Sequence, residues 1–122
     1  MPRSYRLYLK DIQWAIGRIQ TVLQPLDATT LDNDDTYLES VLFNLMTIGE
    51  AAKNIPTNIR DIMPAIDWSE IGRFRDFLVH HYFGIERDKI WKIVQIDLPE
   101  LSQNIEKLLV ILDSLPPTDD PL

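Results

Sequence analysis

The sequence predicts an all-α protein, an antiparallel bundle of four to five helices. Three observations carry that prediction. Apolar residues recur at steps of three and four almost from end to end. No segment alternates apolar and polar residues as a half-buried strand would. Proline, glycine and acidic capping signals punctuate the chain at intervals suited to helices of ordinary length. With 122 residues the chain forms one domain, large enough to bury a core without covalent staples.

The first helix is read from the stripe Tyr5, Tyr8, Leu9, Ile12, Ala15, Ile16, Ile19, Val22 and Leu23. Pro25 and the polar stretch from Asp27 to Asp35 close it. A second stripe runs Leu38, Val41, Leu42, Leu45, Ile48, Gly49, Ala52 and Ile55, and Pro56 ends it. Asp34 and Asp35 at its start suit the positive end of a helix dipole. Residues 57–66 are expected to form a short helical turn or a loop broken by Pro64.

Asp67-Trp68-Ser69-Glu70 resembles a capping box with an acidic N-cap, and opens a helix that turns Ile71, Phe74 and Leu78 inward. Gly84 is the expected stop. A short helix is expected from about Asp88, carrying Ile90, Trp91 and Val94. Asp97-Leu98-Pro99-Glu100 repeats the capping signature, with proline in the first turn. Leu98, Leu101, Ile105, Leu108, Leu112 and Leu115 then form a heptad seam. The helical domain is assigned to residues 1–115, and the proline- and aspartate-rich tail 116–122 is expected to be disordered.

Composition narrows the function classes. Apolar residues make up 45% and charged residues 25%, a globular balance rather than a disordered one. The absence of cysteine removes disulfides, thiolate zinc sites and cysteine nucleophiles, and suits a reducing cytoplasm. No signal peptide is visible at Met1–Lys10, and charges interrupt every apolar run well short of a membrane span. A cytoplasmic protein with no membrane partner is expected.

The net charge of −7 argues against tight, general binding of nucleic acid, which depends on lysine and arginine. The acid is unevenly spread, however. Residues 70–95 hold Arg73, Arg75, Arg87, Lys89 and Lys92 against Glu70, Asp76, Glu86 and Asp88, so this stretch is less negative than the segments 25–69 and 96–122.

That stretch contains the only two histidines of the chain, within Arg75-Asp76-Phe77-Leu78-Val79-His80-His81-Tyr82. Imidazole takes and gives protons near neutrality, and guanidinium matches phosphate oxygens with a fixed fork of donors. The pairing points towards phosphodiester chemistry. On an ideal helix Asp76 and His80 are an i, i+4 pair, so the carboxylate is expected to fix the imidazole tautomer. On the same helix Tyr82 would fall beside the buried face, as a core tyrosine. Arg75 and His80 lie about 140° and roughly 7.5 Å apart. Either the helix loosens near His80, or a second copy of the chain supplies the missing group across a twofold axis. Adjacent histidines point in different directions on a helix, so Asp76, His80 and His81 do not make a metal site. Arg75 has a structural reading too, as the ion-pair partner of Glu50 or Asp76.

The Arg-x4-His-x-Tyr pattern of Arg75, His80 and Tyr82, with Ile48-Gly49-Glu50-Ala51-Ala52, Ile66-Asp67-Trp68 and Ile90-Trp91 around it, resembles the HepT-like branch of the HEPN superfamily over roughly residues 5–113. The resemblance implies a homodimeric, HEPN-like helical ribonuclease that needs no metal or other cofactor, the toxin of a type VII toxin–antitoxin system. It implies RNA as substrate and a minimal nucleotidyltransferase as antitoxin, which transfers AMP from ATP onto the motif tyrosine, here Tyr82; a hetero-oligomer with that antitoxin is a further possibility. In motif register His80, not His81, is the catalytic imidazole and Arg75 its cationic partner. The family often has asparagine after the arginine. Asp76 departs from that, keeping a polar group in a supporting position while adding a charge that repels phosphate. This departure and the overall acidity favour an alternative, a non-catalytic nucleotide-binding or substrate-presenting subunit of a nucleotidyltransferase complex. A purely structural helical dimer is the third reading.

Overall fold

The computed structural model describes residues 4–24 and 35–115, with the backbone alone at Phe83. In chain order the elements are α1 (Tyr5–Leu23), α2 (Asp35–Lys53), the single turn α3 (Thr57–Arg60), α4 (Trp68–His80), α5 (Arg87–Lys92) and α6 (Leu98–Asp113). A 3-10 turn, Tyr82–Gly84, follows α4, and a π-helical segment, Ile93–Asp97, joins α5 to α6. Among the described residues there is no strand. The expected closure of the first helix by Pro25 and the polar stretch beyond it, and the expected disorder of 116–122, lie outside the described residues.

The bundle is antiparallel where its register can be read. Arg6, at the start of α1, meets the end of α6, while Gln13 further along α1 meets Ser102 further back along α6. On the other side, Gly49 of α2 faces Arg75 of α4, and Lys53 of α2 faces Gly72 of α4. The predicted stripes face the core, except that Leu115 of the expected seam lies past the end of α6 at Asp113 and is 38% exposed. Leu9, Ile12, Ala15, Ile105, Leu108 and Leu112 are fully enclosed, and such burial contributes about 1.5–3 kcal/mol for each large side chain.

Helix ends are secured by side chains that reach orphan backbone groups. The Ser4 hydroxyl accepts from the Arg6 N–H at 3.2 Å. Arg6 itself donates to the Leu112 carbonyl and to the Asp113 carboxylate, both at 2.8 Å, and so places a cation on the negative end of α6. Pro56 disfavours helical backbone in the residue before it, and α2 accordingly stops at Lys53. Arg60 then satisfies the Ala52 and Ile55 carbonyls at 2.9 and 2.8 Å.

Two expected boundaries are corrected. The α4 helix ends at His80, not at Gly84, because the backbone leaves the helical region at His81 (φ −125°, ψ 27°). A tighter turn follows, closed by the Gly84 N–H on the His81 carbonyl at 2.9 Å. Gly84 has no positive φ and is not a left-handed cap. Asp97 is not an N-cap either. Its backbone is helical and its side chain makes no cap bond. Helical backbone runs from α5 into α6 through the π segment, where the Leu98 N–H reaches back to the Ile93 carbonyl. Pro99 has no N–H to donate and its ring crowds the preceding turn, so local widening to π geometry carries the helix past it.

Candidate functional site

The α2 and α4 helices approach most closely at glycine. A methyl group built on Gly49 would stand 2.2 Å from Arg75 Cβ and 3.3 Å from Arg75 Cα. Only hydrogen fits there. A methyl on Gly72 would meet Lys53 Cγ at 3.3 Å. The two glycines thus seat Arg75 and Lys53 side by side in the groove between the helices. The Asp67 carboxylate accepts from the Glu70 N–H at 3.0 Å and fixes where α4 begins, as its sequence signature predicts. Inward, Leu78 is fully buried and Ile71 and Phe74 are half-buried against the core.

Four charged groups converge on this groove. Arg75 lies 3.4 Å from a Glu50 carboxylate oxygen and donates to Asp76 Oδ1 at 3.2 Å. Lys53 donates to the same Asp76 oxygen at 2.6 Å. The Lys53 hydrogen bond holds the Asp76 carboxyl below its ordinary value; partial burial opposes the shift and the Arg75 hydrogen bond adds to it. Asp76 is therefore ionised at neutral pH. All four side chains are partly open to solvent, where water and salt screen ion pairs, so these contacts contribute little to stability. Their importance lies in where they hold the guanidinium.

The Asp76–His80 pair expected from helical spacing does not form. Asp76 turns instead to Lys53 of α2 and to Arg75 beside it, two cations that converge on one of its oxygens. His80 is the last residue of α4 and is exposed. His81 is also exposed, and its ring stacks on Phe77 with centroids 4.6 Å apart. Its neighbourhood is thus aromatic packing at the surface. Tyr82 lies beyond α4 in the 3-10 turn, not on the helix as ideal periodicity placed it, and it is half-buried against the core. Among the described residues no three His, Asp or Glu side chains are grouped to hold a metal ion.

The structure brings Arg75 and Asp76 together but leaves His80 apart from them. Since α4 is regular helix from Trp68 to His80, the loosening that would draw His80 towards Arg75 does not occur. The roughly 140° and 7.5 Å between their positions stand. Lys53 is the group sequence reading missed. It sits in the last turn of α2, where a lysine reads as a favourable helix-end charge. The one available signal was Gly49 four residues earlier, a small residue marking a close helix approach on the same face.

A second recess, of about 350 Å³, lies between α2, α4 and α6, and its lining includes the apolar Ile48, Ile71, Phe74 and Leu101 and the acidic Asp67, Glu70, Asp97 and Glu100. It contains neither Arg75 nor His80. No helix of the described residues is long and apolar enough to cross a membrane.

Residues 12–108 match the model of the ribonuclease HepT-like family. A probable ribonuclease HepT of Thermococcus cleftensis is 39% identical over 108 residues, covering 88% of this chain and 98% of that protein. A putative RNase of Methanocaldococcus jannaschii is 31% identical over 111 residues, covering 91% and 96%. A putative RNase of Caldanaerobacter subterraneus subsp. tengcongensis is 29% identical over 109 residues, covering 88% and 94%. No solved structure gives a significant match.

Proposed function

The chain belongs to the HepT-like ribonuclease family, and from that premise we propose that it is a metal-independent endoribonuclease, the toxin of a type VII toxin–antitoxin pair in the cytoplasm. The observation that carries the reading is Arg75, wedged against Gly49 so that its backbone cannot retreat, with its guanidinium partly open to solvent on the helix that ends in the exposed His80. Metal-free cleavage of RNA needs a proton acceptor for the 2′-hydroxyl, a donor for the leaving 5′-oxygen, and positive charge on the non-bridging oxygens. His80 of one chain serves as acceptor or donor, with solvent in the complementary role, and Arg75 of the other chain neutralises the phosphorane-like transition state. The products carry 2′,3′-cyclic phosphate ends.

One chain does not join Arg75 to His80, so the reading requires a homodimer. Phe43 of α2 and Phe77 and Val79 of α4 are 66%, 48% and 47% exposed. They supply apolar surface beside the charged cluster for a second copy to cover. Tyr82, two residues beyond His80, is the proposed acceptor of AMP from a minimal nucleotidyltransferase antitoxin. The added anion would repel substrate from the same end of the helix.

The test is cleavage of RNA by the purified chain, with Arg75→Ala, His80→Ala and the matching DNA strand alongside. Wild type should leave cyclic phosphate ends, both variants should lose about 10² or more of the rate, and DNA should stay intact. Cleavage that persists in His80→Ala would remove this mechanism. A second reading draws on a specific observation: two carboxylates already neutralise Arg75 and Lys53. In that reading the chain presents Tyr82 to the transferase without cutting RNA. Intact RNA together with AMP on the Tyr82 peptide, read by mass spectrometry after incubation with ATP and the transferase, would establish it.

A further inference from the structure

We propose that Lys53 and Arg75 form a two-cation seat for one phosphodiester of the RNA strand, and that in the free protein Asp76 fills this seat as an internal stand-in for phosphate. The inference rests on the ribonuclease reading and adds to it a binding residue and a built-in competitor. Its basis is one atom. Asp76 Oδ1 accepts from Lys53 Nζ at 2.6 Å and from an Arg75 terminal nitrogen at 3.2 Å. Two cationic donors, from different helices, thus converge on a single anionic oxygen. A non-bridging phosphate oxygen carries similar charge and accepts the same donors at the same distances.

The seat is built rather than incidental. Gly49 leaves no room for Arg75 to withdraw, and Gly72 admits the Lys53 stem. The side chains of Arg75 and Lys53 are 32% and 39% exposed, so a strand can reach both. Asp76 is 47% exposed and can rotate outwards when a stronger anion arrives. Glu50, 3.4 Å from the other terminal nitrogen of Arg75, helps to hold the guanidinium in place. Two cations and two carboxylates cancel locally, which keeps RNA binding weak until Asp76 yields.

The test is binding of a 2′-O-methyl RNA oligonucleotide, which lacks the free 2′-hydroxyl and so separates binding from cleavage, read by fluorescence anisotropy over a range of salt concentrations. Asp76→Asn removes the competitor and keeps both cations, and should tighten binding roughly fivefold, the factor for one like charge at about 4 Å in a water-like dielectric. Lys53→Met should weaken binding and lower the slope of log affinity against log salt by about 0.7, the value for one phosphate fewer neutralised on a single strand. Asp76→Asn binding no better than wild type overturns the seat. So does Lys53→Met with wild-type affinity and slope; if Arg75→Ala still weakens binding there, the ribonuclease reading survives. RNA left unbound by every variant, Asp76→Asn included, overturns both.

Discussion

Between Gly49 and Arg75 two opposing effects meet at one position. Alanine is the better helix former by about 1 kcal/mol, so Gly49→Ala would stabilise an isolated α2. In the folded chain the new methyl would lie 2.2 Å from Arg75 Cβ, a main-chain-proximal atom that cannot swing aside. Overpacking of this kind costs about 1–3 kcal/mol, and the helices must part to relieve it. Gly49→Ala should therefore lower the thermal midpoint and weaken RNA cleavage together, measured by circular dichroism melting beside the activity assay. A variant as stable as wild type would mean that α2 and α4 do not approach so closely.

The sequence made Arg75, Asp76, His80 and Tyr82 conspicuous because their types and spacing are unusual. It even named Glu50 as a partner for Arg75, as the structure has it. Lys53 stayed hidden because its contact with Asp76 spans 23 residues. The Asp76–His80 pair was a fair expectation on one helix in isolation, and it lost to a cation from the helix alongside.

Among the elements, α1, α2 and α4 were legible because their apolar stripes are long and their starts carry chemistry of their own, as at Asp67. The chain beyond α4 was less legible. Gly84 signalled a stop, but the helix ended sooner in a 3-10 turn. The Asp97–Pro99 signature, which elsewhere starts a helix, here marks a π segment inside one. Capping patterns record what a residue can do for a backbone end. They do not say whether the backbone ends there. A prediction at this scale concerns Gly17, mid-way along α1, whose missing methyl would meet nothing within 4 Å. Unlike Gly49, it gives up helix propensity with no steric return. Gly17→Ala should stabilise the chain by about 0.5–1 kcal/mol and raise the melting temperature by a few degrees, with cleavage unchanged. Melting at or below the wild-type temperature would show that α1 needs the space that this glycine leaves.

At the level of the whole molecule, one regular helix sets the constraint. Arg75 and His80 project from α4 in directions about 140° apart, and α4 stays helical to His80, so one chain keeps the two groups on different faces. Twofold symmetry offers a solution. In the proposed dimer, two antiparallel copies of α4 crossing near the axis would set Arg75 of one chain towards His80 of the other. The arrangement predicts complementation. Arg75→Ala and His80→Ala chains should each be inactive alone. Unfolded together and refolded, they form mixed dimers in which one intact arginine faces one intact histidine across the axis. Such a mixture should regain part of the cleavage that neither parent has, in proportion to the mixed dimer resolved by native mass spectrometry. If the two groups worked within a single chain, no pairing of the variants would restore a complete set, and the mixture would stay as inactive as its parents.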